Sequence, residues 1–418
     1  MDGKTTGAWL VHHTAKLEQV NGNVPYDNIL VAGKAAILLS ALSASEDLTL
    51  ENARVEVLAR ASRINTLELP TLLKLLEQQR VLKRGVNGVD ILGVTSLTVL
   101  ERAADLFSEL GPKETELAAL DISERASIAP VERADIGEYI SDTYHLPNNA
   151  VELFFDEAEE IGFVDHEVID ADRRLYFNGN IFRRDNATKA AEILRSLSID
   201  DAGKVTAVDE QLRSFGCLPL ETVKKLLGDQ LFEKLAAISV YDINVVNNSK
   251  ENVAFVTRPA AFSKYGTEDI ASDALDLAKA FVSSLTYGMT RSTSNRGQIT
   301  MIEALMKKLI RGEWVGSATA IGEDYTALEL RNVVKVRPGD QGRGFDMKLL
   351  KKDVGEMALA VIQCGDTSDR SLPRIPGAAV AGYIGPEQNR GDLRKKQTIV
   401  SKRGSRDMVM ALRTGKLT

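Results

Sequence analysis

Apolar positions along this 418-residue chain fall into two alternating rhythms. Stretches with apolar residues three or four apart predict amphipathic helices, and short stretches that alternate apolar with polar predict strands. Residues 1–27 read as a short helix and an entry loop, and a first long helix is predicted from Tyr26 to about Ala44. LTLENARVEVLARAS follows with apolar Val55, Val57, Leu58 and Ala61. LELPTLLKLLEQQR is next, with Pro70 near the helix start, where a missing N–H does no harm. VLKRGVNGVDILGV then reads as strand, turn, strand, and its Asn87-Gly88 pair is a hairpin signal.

The order recurs. SERASIAPVERADIGEYISDTYHL predicts helices, Pro147 opens the amphipathic PNNAVELFFDEAEEIGF, and VDHEVIDADRRLYFNGN predicts a hairpin turning near Asp170 to Asp172. A third time, a helix ends at Glu210 to Phe215. Two short helices broken at Gly228-Asp229 follow it, then a long hairpin with Asn247-Asn248-Ser249 at its tip. In the fourth, DIASDALDLAKAFVSSLTYGM and ITMIEALMKKLIRGEW are helices around the polar loop MTRSTSNRGQ, and EDYTALELRNV is a short helix. The hairpin RNVVKVRPGDQGRGFDMKLLKK and the closing helix KKDVGEMALAVIQ end it.

Helix, helix, helix, hairpin resembles the winged helix-turn-helix superfamily, over about two thirds of the chain. The resemblance implies an α-rich α+β fold of three or four tandem winged-helix domains with short β-hairpin wings. The expected boundaries are 1–27 for the entry segment, 28–110, 111–185 and 186–264 for three winged helices, 265–364 for a basic winged-helix-like domain, and 365–418 for a loop and basic tail. Winged helices serve both as duplex-DNA binders and as protein-interaction modules, so the fold does not select the function.

Charge separates the copies. The second carries Glu152, Asp156, Glu157, Glu159 and Glu160 on its last helix with no Lys or Arg, a pattern that repels phosphate and suits solvent or a partner protein. The first mixes Lys74 and Arg80 with Glu68 and Glu77, and the third balances Lys224, Lys225 and Lys234 against Glu221, Asp229 and Glu233. The fourth is basic. Lys307, Lys308 and Arg311 lie on one helix, Arg291 and Arg296 flank the loop before it, and the hairpin adds Arg331, Lys335, Arg337, Arg343 and Lys348. Alternation with Val334 and Val336 puts Lys335 and Arg337 on one strand face. The net charge is −7, but residues 390–418 hold nine basic residues against Asp392 and Asp407, so this +7 tail leaves −14 on the rest. Arg394, Lys395, Lys396, Lys402 and Arg403 of the tail join the candidate duplex contacts.

Catalytic chemistry finds little support. GDQGRG holds Gly339, Gly342 and Gly344 but is neither GxGxxG nor a Walker A loop, and it sits between two strands. Four histidines and two distant cysteines, Cys217 and Cys364, give no zinc spacing. His12-His13 reads as a packing pair in an N-terminal helix, and Asp165, Glu167, Asp170 and Asp172 as solvated turn acids. No stretch approaches the roughly 18 apolar residues of a membrane helix. The expectation is a cytoplasmic, non-enzymatic protein without cofactor or metal that grips duplex phosphates through its C-terminal region, as a regulator or a genome-maintenance or defence accessory. The alternatives are a winged-helix adaptor that binds proteins through its acidic second module and, more weakly, an enzyme whose site assembles only on folding.

Overall fold

The computed structural model describes residues 1–20, 25–43, 49–86, 88–92, 94, 96–170, 173–182, 184–248, 251–265, 272–339 and 344–368. They divide into two compact units, one of residues 1–179 with Tyr265 and Ser368, the other of residues 180–264 and 272–367. The fold is α+β and helix-rich, with small three-stranded antiparallel sheets. No described helix is long and apolar enough to cross a membrane.

In unit 1 the order is α1 (Gly3–Leu17), α2 (Asp27–Ser43), β1 (Thr49–Glu51), α3 (Asn52–Ala61), α4 (Leu69–Gln78), β2 (Leu82–Arg84), β3 (Gly88–Ile91) and α5 (Ser96–Glu109). A second pass gives α6 (Glu114–Ile128), β4 (Val131–Glu132), α7 (Arg133–Tyr144), α8 (Asn148–Ile161), β5 (Asp165–Val168) and β6 (Arg174–Phe177). Unit 2 holds α9 (Arg184–Arg195), α10 (Ile199–Phe215), β7 (Leu218–Pro219), α11 (Leu220–Leu227), α12 (Asp229–Ala237), β8 (Asp242–Asn247), β9 (Asn252–Thr257) and α13 (Pro259–Ser263). It continues with α14 (Ser272–Thr290), a single 3-10 turn (Ser294–Arg296), α15 (Ile302–Ile310), β10 (Val315–Ala318), α16 (Thr319–Asp324), α17 (Thr326–Leu330), β11 (Val334–Pro338), β12 (Phe345–Leu349) and α18 (Lys352–Cys364).

Four times a helix leads into a short strand, two helices follow, and two strands form a hairpin. Each sheet has the same order, the first strand pairing with the third and the third with the second. Local chemistry explains the boundaries. Pro70 occupies the first turn of α4, and Pro147 is the N-cap of α8. Gly228, at φ +83°, turns the chain between α11 and α12 in a conformation that L side chains avoid.

Two differences from the sequence reading bear on function. Residues 1–27 hold more than an entry loop, because α1 is largely buried and forms part of the unit 1 core. Trp9 donates to Glu124 Oε2 at 2.8 Å, and Glu116 accepts from the backbone N–H groups of Asn28, Ile29 and Lys113. These bonds tie α1 and α2 to α6, so the first two repeats share one core. In the fourth repeat, the helix with Lys307 and Lys308 is α15, which lies before the first strand. The helix that leads into the hairpin is α17, five residues long and without a basic side chain. Strand β10 intervenes, and its Gly316-Ser317-Ala318 run has none of the alternation by which strands are read.

Candidate interaction surfaces

In the second repeat, α7 and α8 lie side by side and a groove of about 520 Å³ opens between them. Buried Val151 and Phe155 line it, with Ala134 and Gly137. A Cβ on Gly137 would stand 3.2 Å from Phe155 Cε2, so glycine permits this close approach. Glu138, Asp142 and Glu152 also line the groove, against Arg133 as its one base. Glu152, Asp156 and Glu160 recur every four residues along α8 and therefore share a face.

The other acids of α8 point inward. Glu159 accepts from Tyr176 Oη at 2.6 Å and from Arg174 Nη1 at 2.8 and 2.9 Å, with Arg133 Nη1 at 3.3 Å. Burial raises the Tyr176 phenol pKa, and the hydrogen bond to Glu159 raises it further, so Tyr176 donates. Glu157 is buried and accepts from Tyr26 Oη at 3.0 Å. The acidic helix is thus half structural; of its five acids only Glu152 is exposed, and it pairs with Arg133 Nη2 at 2.5 Å.

The fourth repeat mirrors this. Arg296 is 9% exposed, so it is corrected from a phosphate contact to a structural group. Its Nη2 donates to Glu323 at 2.7 Å and to Asp324 at 2.8 Å, and Nη1 reaches Tyr287 Oη at 3.4 Å. Burial opposes its charge, but the bonds to Tyr287, Asp324 and Glu323 outweigh burial and raise its pKa. Asn248 donates to the same Asp324 at 2.9 Å, and Tyr287 donates to Glu251 at 2.9 Å. These last bonds pin the tip of the β8–β9 hairpin onto α14 and α16.

Most other basic candidates face acids of their own chain. Arg291 reaches Glu221 at 3.0 Å, Arg311 reaches Glu313 at 2.6 Å, and Lys307 lies 3.6 Å from Glu303. Arg337 pairs with Asp346 at 3.1 Å and stacks its guanidinium 4.2 Å from the Trp314 ring centre. Lys335 and Lys348 stand directly opposite each other across β11 and β12. Arg337 and Asp346 are likewise opposite, so one strand face carries both basic residues of β11. Among the described residues Lys308, Arg331, Lys335 and Lys348 have no ion pair, and of these Lys308, Arg331 and Lys335 are exposed. Arg343, Arg394, Lys395, Lys396, Lys402 and Arg403 lie outside the described residues.

Elsewhere, His13 is fully buried, with its Nε2 3.0 Å from Ser123 Oγ and 3.3 Å from the Ala119 carbonyl. Burial, and then the charge of Lys16, hold its pKa well below 6.5 despite the Ala119 bond. Cys217 is buried, and burial pushes its thiol up to about 12, which keeps it protonated and unreactive. Among the described residues no group of three His, Cys, Asp or Glu is placed to hold a metal ion.

Sequence reasoning missed the groove lining of α7, where Gly137 and Ala134 come together with Val151 and Phe155. The signal was present as small residues at helical spacing, but its meaning depends on which helix packs opposite. Comparison with family models, curated proteins and solved structures returns no match for this chain.

Proposed function

We propose that the four repeats are winged helices and that the chain is a protein-interaction scaffold, with the α7–α8 groove as its principal docking surface. Strand order first, third, second, with two helices between the first and second strands, supports the winged-helix reading. The observation that carries the function is the charge of the helix leading into each hairpin, the element that would enter the major groove. Lys74 is balanced by Glu77 on α4, α8 has five acids and no base, α12 sets Lys234 against Asp229 and Glu233, and α17 has Glu329 alone. None carries net positive charge, whereas duplex DNA presents about one phosphate per 1.7 Å. The groove suits a basic segment with apolar anchors, because Ala134, Val151 and Phe155 line it among three acids and one base.

A second reading, duplex binding, is favoured by Lys335 and Lys348 facing each other without acids, with Arg331 exposed nearby in sequence and a basic tail. One paired experiment decides between them. The full-length chain is cross-linked in cells and, separately, titrated with duplex DNA at about 50 mM salt, where phosphate contacts are strongest. The scaffold reading expects a discrete protein adduct that disappears on combined Glu138→Lys, Asp142→Lys and Glu152→Lys substitution. It expects duplex binding to be insensitive to Lys335→Glu with Lys348→Glu. Salt-dependent duplex binding abolished by those two changes, with an adduct pattern unaffected by the groove changes, would overturn it.

A further inference from the structure

Unit 2 contains a cavity of about 270 Å³ bounded by the end of α14, the loop 297–301, α15, β10, α16 and β12. Its wall has no Asp, Glu, Lys, Arg or His side chain, although 27% of the chain is charged and the surrounding repeat is rich in Lys and Arg. Gln298, Thr300 and Met301 are exposed and mark the side open to solvent. Val315, Ile321, Tyr325 and Met347 are buried and form the inner wall. Gly288 helps to keep this space open, since a Cβ there would stand 2.7 Å from Ile299 Cδ1 and 3.6 Å from Tyr325 Oη.

Tyr325 is the polar feature of the inner wall. It is 3% exposed, and its hydroxyl makes no hydrogen bond with any described residue. Four other buried tyrosines of this protein are paired. Tyr26 donates to Glu157, Tyr176 to Glu159, Tyr241 to Asp209 and Tyr287 to Glu251. The ring is buried but the oxygen opens into the cavity, where it can donate to or accept from a group bound there. Size narrows the class further. Apolar cavities of about 150 Å³ accept a benzene ring, and this one has room for a larger, fused ring or an equivalent chain.

We propose that this cavity binds a small uncharged molecule, largely apolar and about the size of a two-ring aromatic, whose hydrogen-bonding group pairs with the Tyr325 hydroxyl. A charged ligand is disfavoured because the wall supplies no counter-ion and burial of an unpaired charge is costly. The site is separate from the docking groove of the second repeat, lying in the other unit, and does not depend on the scaffold reading.

The test titrates the full-length chain with three probes that share one ring system: 1-naphthol, naphthalene and 1-naphthoate. Saturable one-to-one binding is expected for 1-naphthol and naphthalene, with 1-naphthoate at least about tenfold weaker. Tyr325→Phe, which deletes one oxygen and retains the ring, should weaken 1-naphthol about three- to tenfold, the worth of one hydrogen bond, and leave naphthalene unchanged. Ala320→Leu, which fills part of the space, should weaken both neutral probes, with circular dichroism to verify folding. If Ala320→Leu disturbs the fold, the ratio of 1-naphthol to naphthalene affinity in Tyr325→Phe decides alone. No saturable binding of either neutral probe, equal binding of 1-naphthoate, or an unchanged ratio in Tyr325→Phe would overturn the proposal.

Discussion

The second and fourth repeats each enclose one ion among groups of the opposite sign, an acid in the second and a base in the fourth. In the second, the carboxylate of Glu159 is surrounded by Arg133, Arg174 and Tyr176. In the fourth, the guanidinium of Arg296 is surrounded by Glu323, Asp324 and Tyr287. Each repeat directs one of its charged side chains inward against the opposite sign. What remains outside is Glu138, Asp142 and Glu152 along a groove in one, and a pair of facing lysines on a hairpin in the other. The lesson is that local charge in the sequence overstates the charge offered to a partner. A buried ion also contributes differently from an exposed one, since removing its counter-ion strands it away from water.

The two tryptophans fall one in each unit, so fluorescence of Trp9→Phe and Trp314→Phe backgrounds reads the units separately. The largest effect is expected at Arg296. Replacement by Met leaves Asp324 buried without its cation and should destabilise unit 2 by about 3–5 kcal/mol, measured by urea unfolding followed at Trp314. The mirror change, Glu159→Gln, strands a more solvated set of bases. It should destabilise unit 1 by about 1–3 kcal/mol, followed at Trp9. Equal losses in the two variants would remove the distinction between stranding the fully buried Asp324 and stranding the part-exposed Arg133 and Arg174.

Mild acid should separate the units next. All four histidines belong to unit 1. The folded-state pKa of His13 is lowered, so the stability tied to its neutral form is complete above the unfolded value of about 6.5 and is lost as pH falls below it. The slope is at most about 1.4 kcal/mol per pH unit for one proton. Thermal melts between pH 7.0 and 5.5 should shift at Trp9 and much less at Trp314. A His13→Gln variant should flatten the Trp9 response, and an unaltered slope would assign the effect elsewhere. The smallest effect is expected on the surface. Glu138→Lys with Asp142→Lys, both exposed, should change stability by about 0.5 kcal/mol or less per site, a value that urea unfolding at Trp9 can bound.

Much of the architecture was legible in advance. Helical spacing placed α2, α4 and α8, Pro70 and Pro147 marked helix starts, and Gly228 marked the break between α11 and α12. The β2–β3, β5–β6, β8–β9 and β11–β12 hairpins fell where alternation and turn residues put them. The leading strands were not legible. β4 and β7 are two residues long, too short to display a period of two, and β4 exists because β6 lies 43 or more residues later to pair with it. In the fourth repeat, missing β10 moved the helix of Lys307 into the wrong place in the order.

The sequence by itself determined the periodic elements, their stops and the uneven distribution of charge, because each depends on residues within a few positions of one another. Tertiary structure alone decided which charges remain outside. Arg296 meets Asp324 from 28 positions away, Asn28 meets Glu116 from 88, and Trp9 meets Glu124 from 115. Electrostatic energy follows distance and surrounding dielectric rather than sequence separation. A run of arginines and lysines therefore acquires its meaning only when folding brings, or fails to bring, an acid to each.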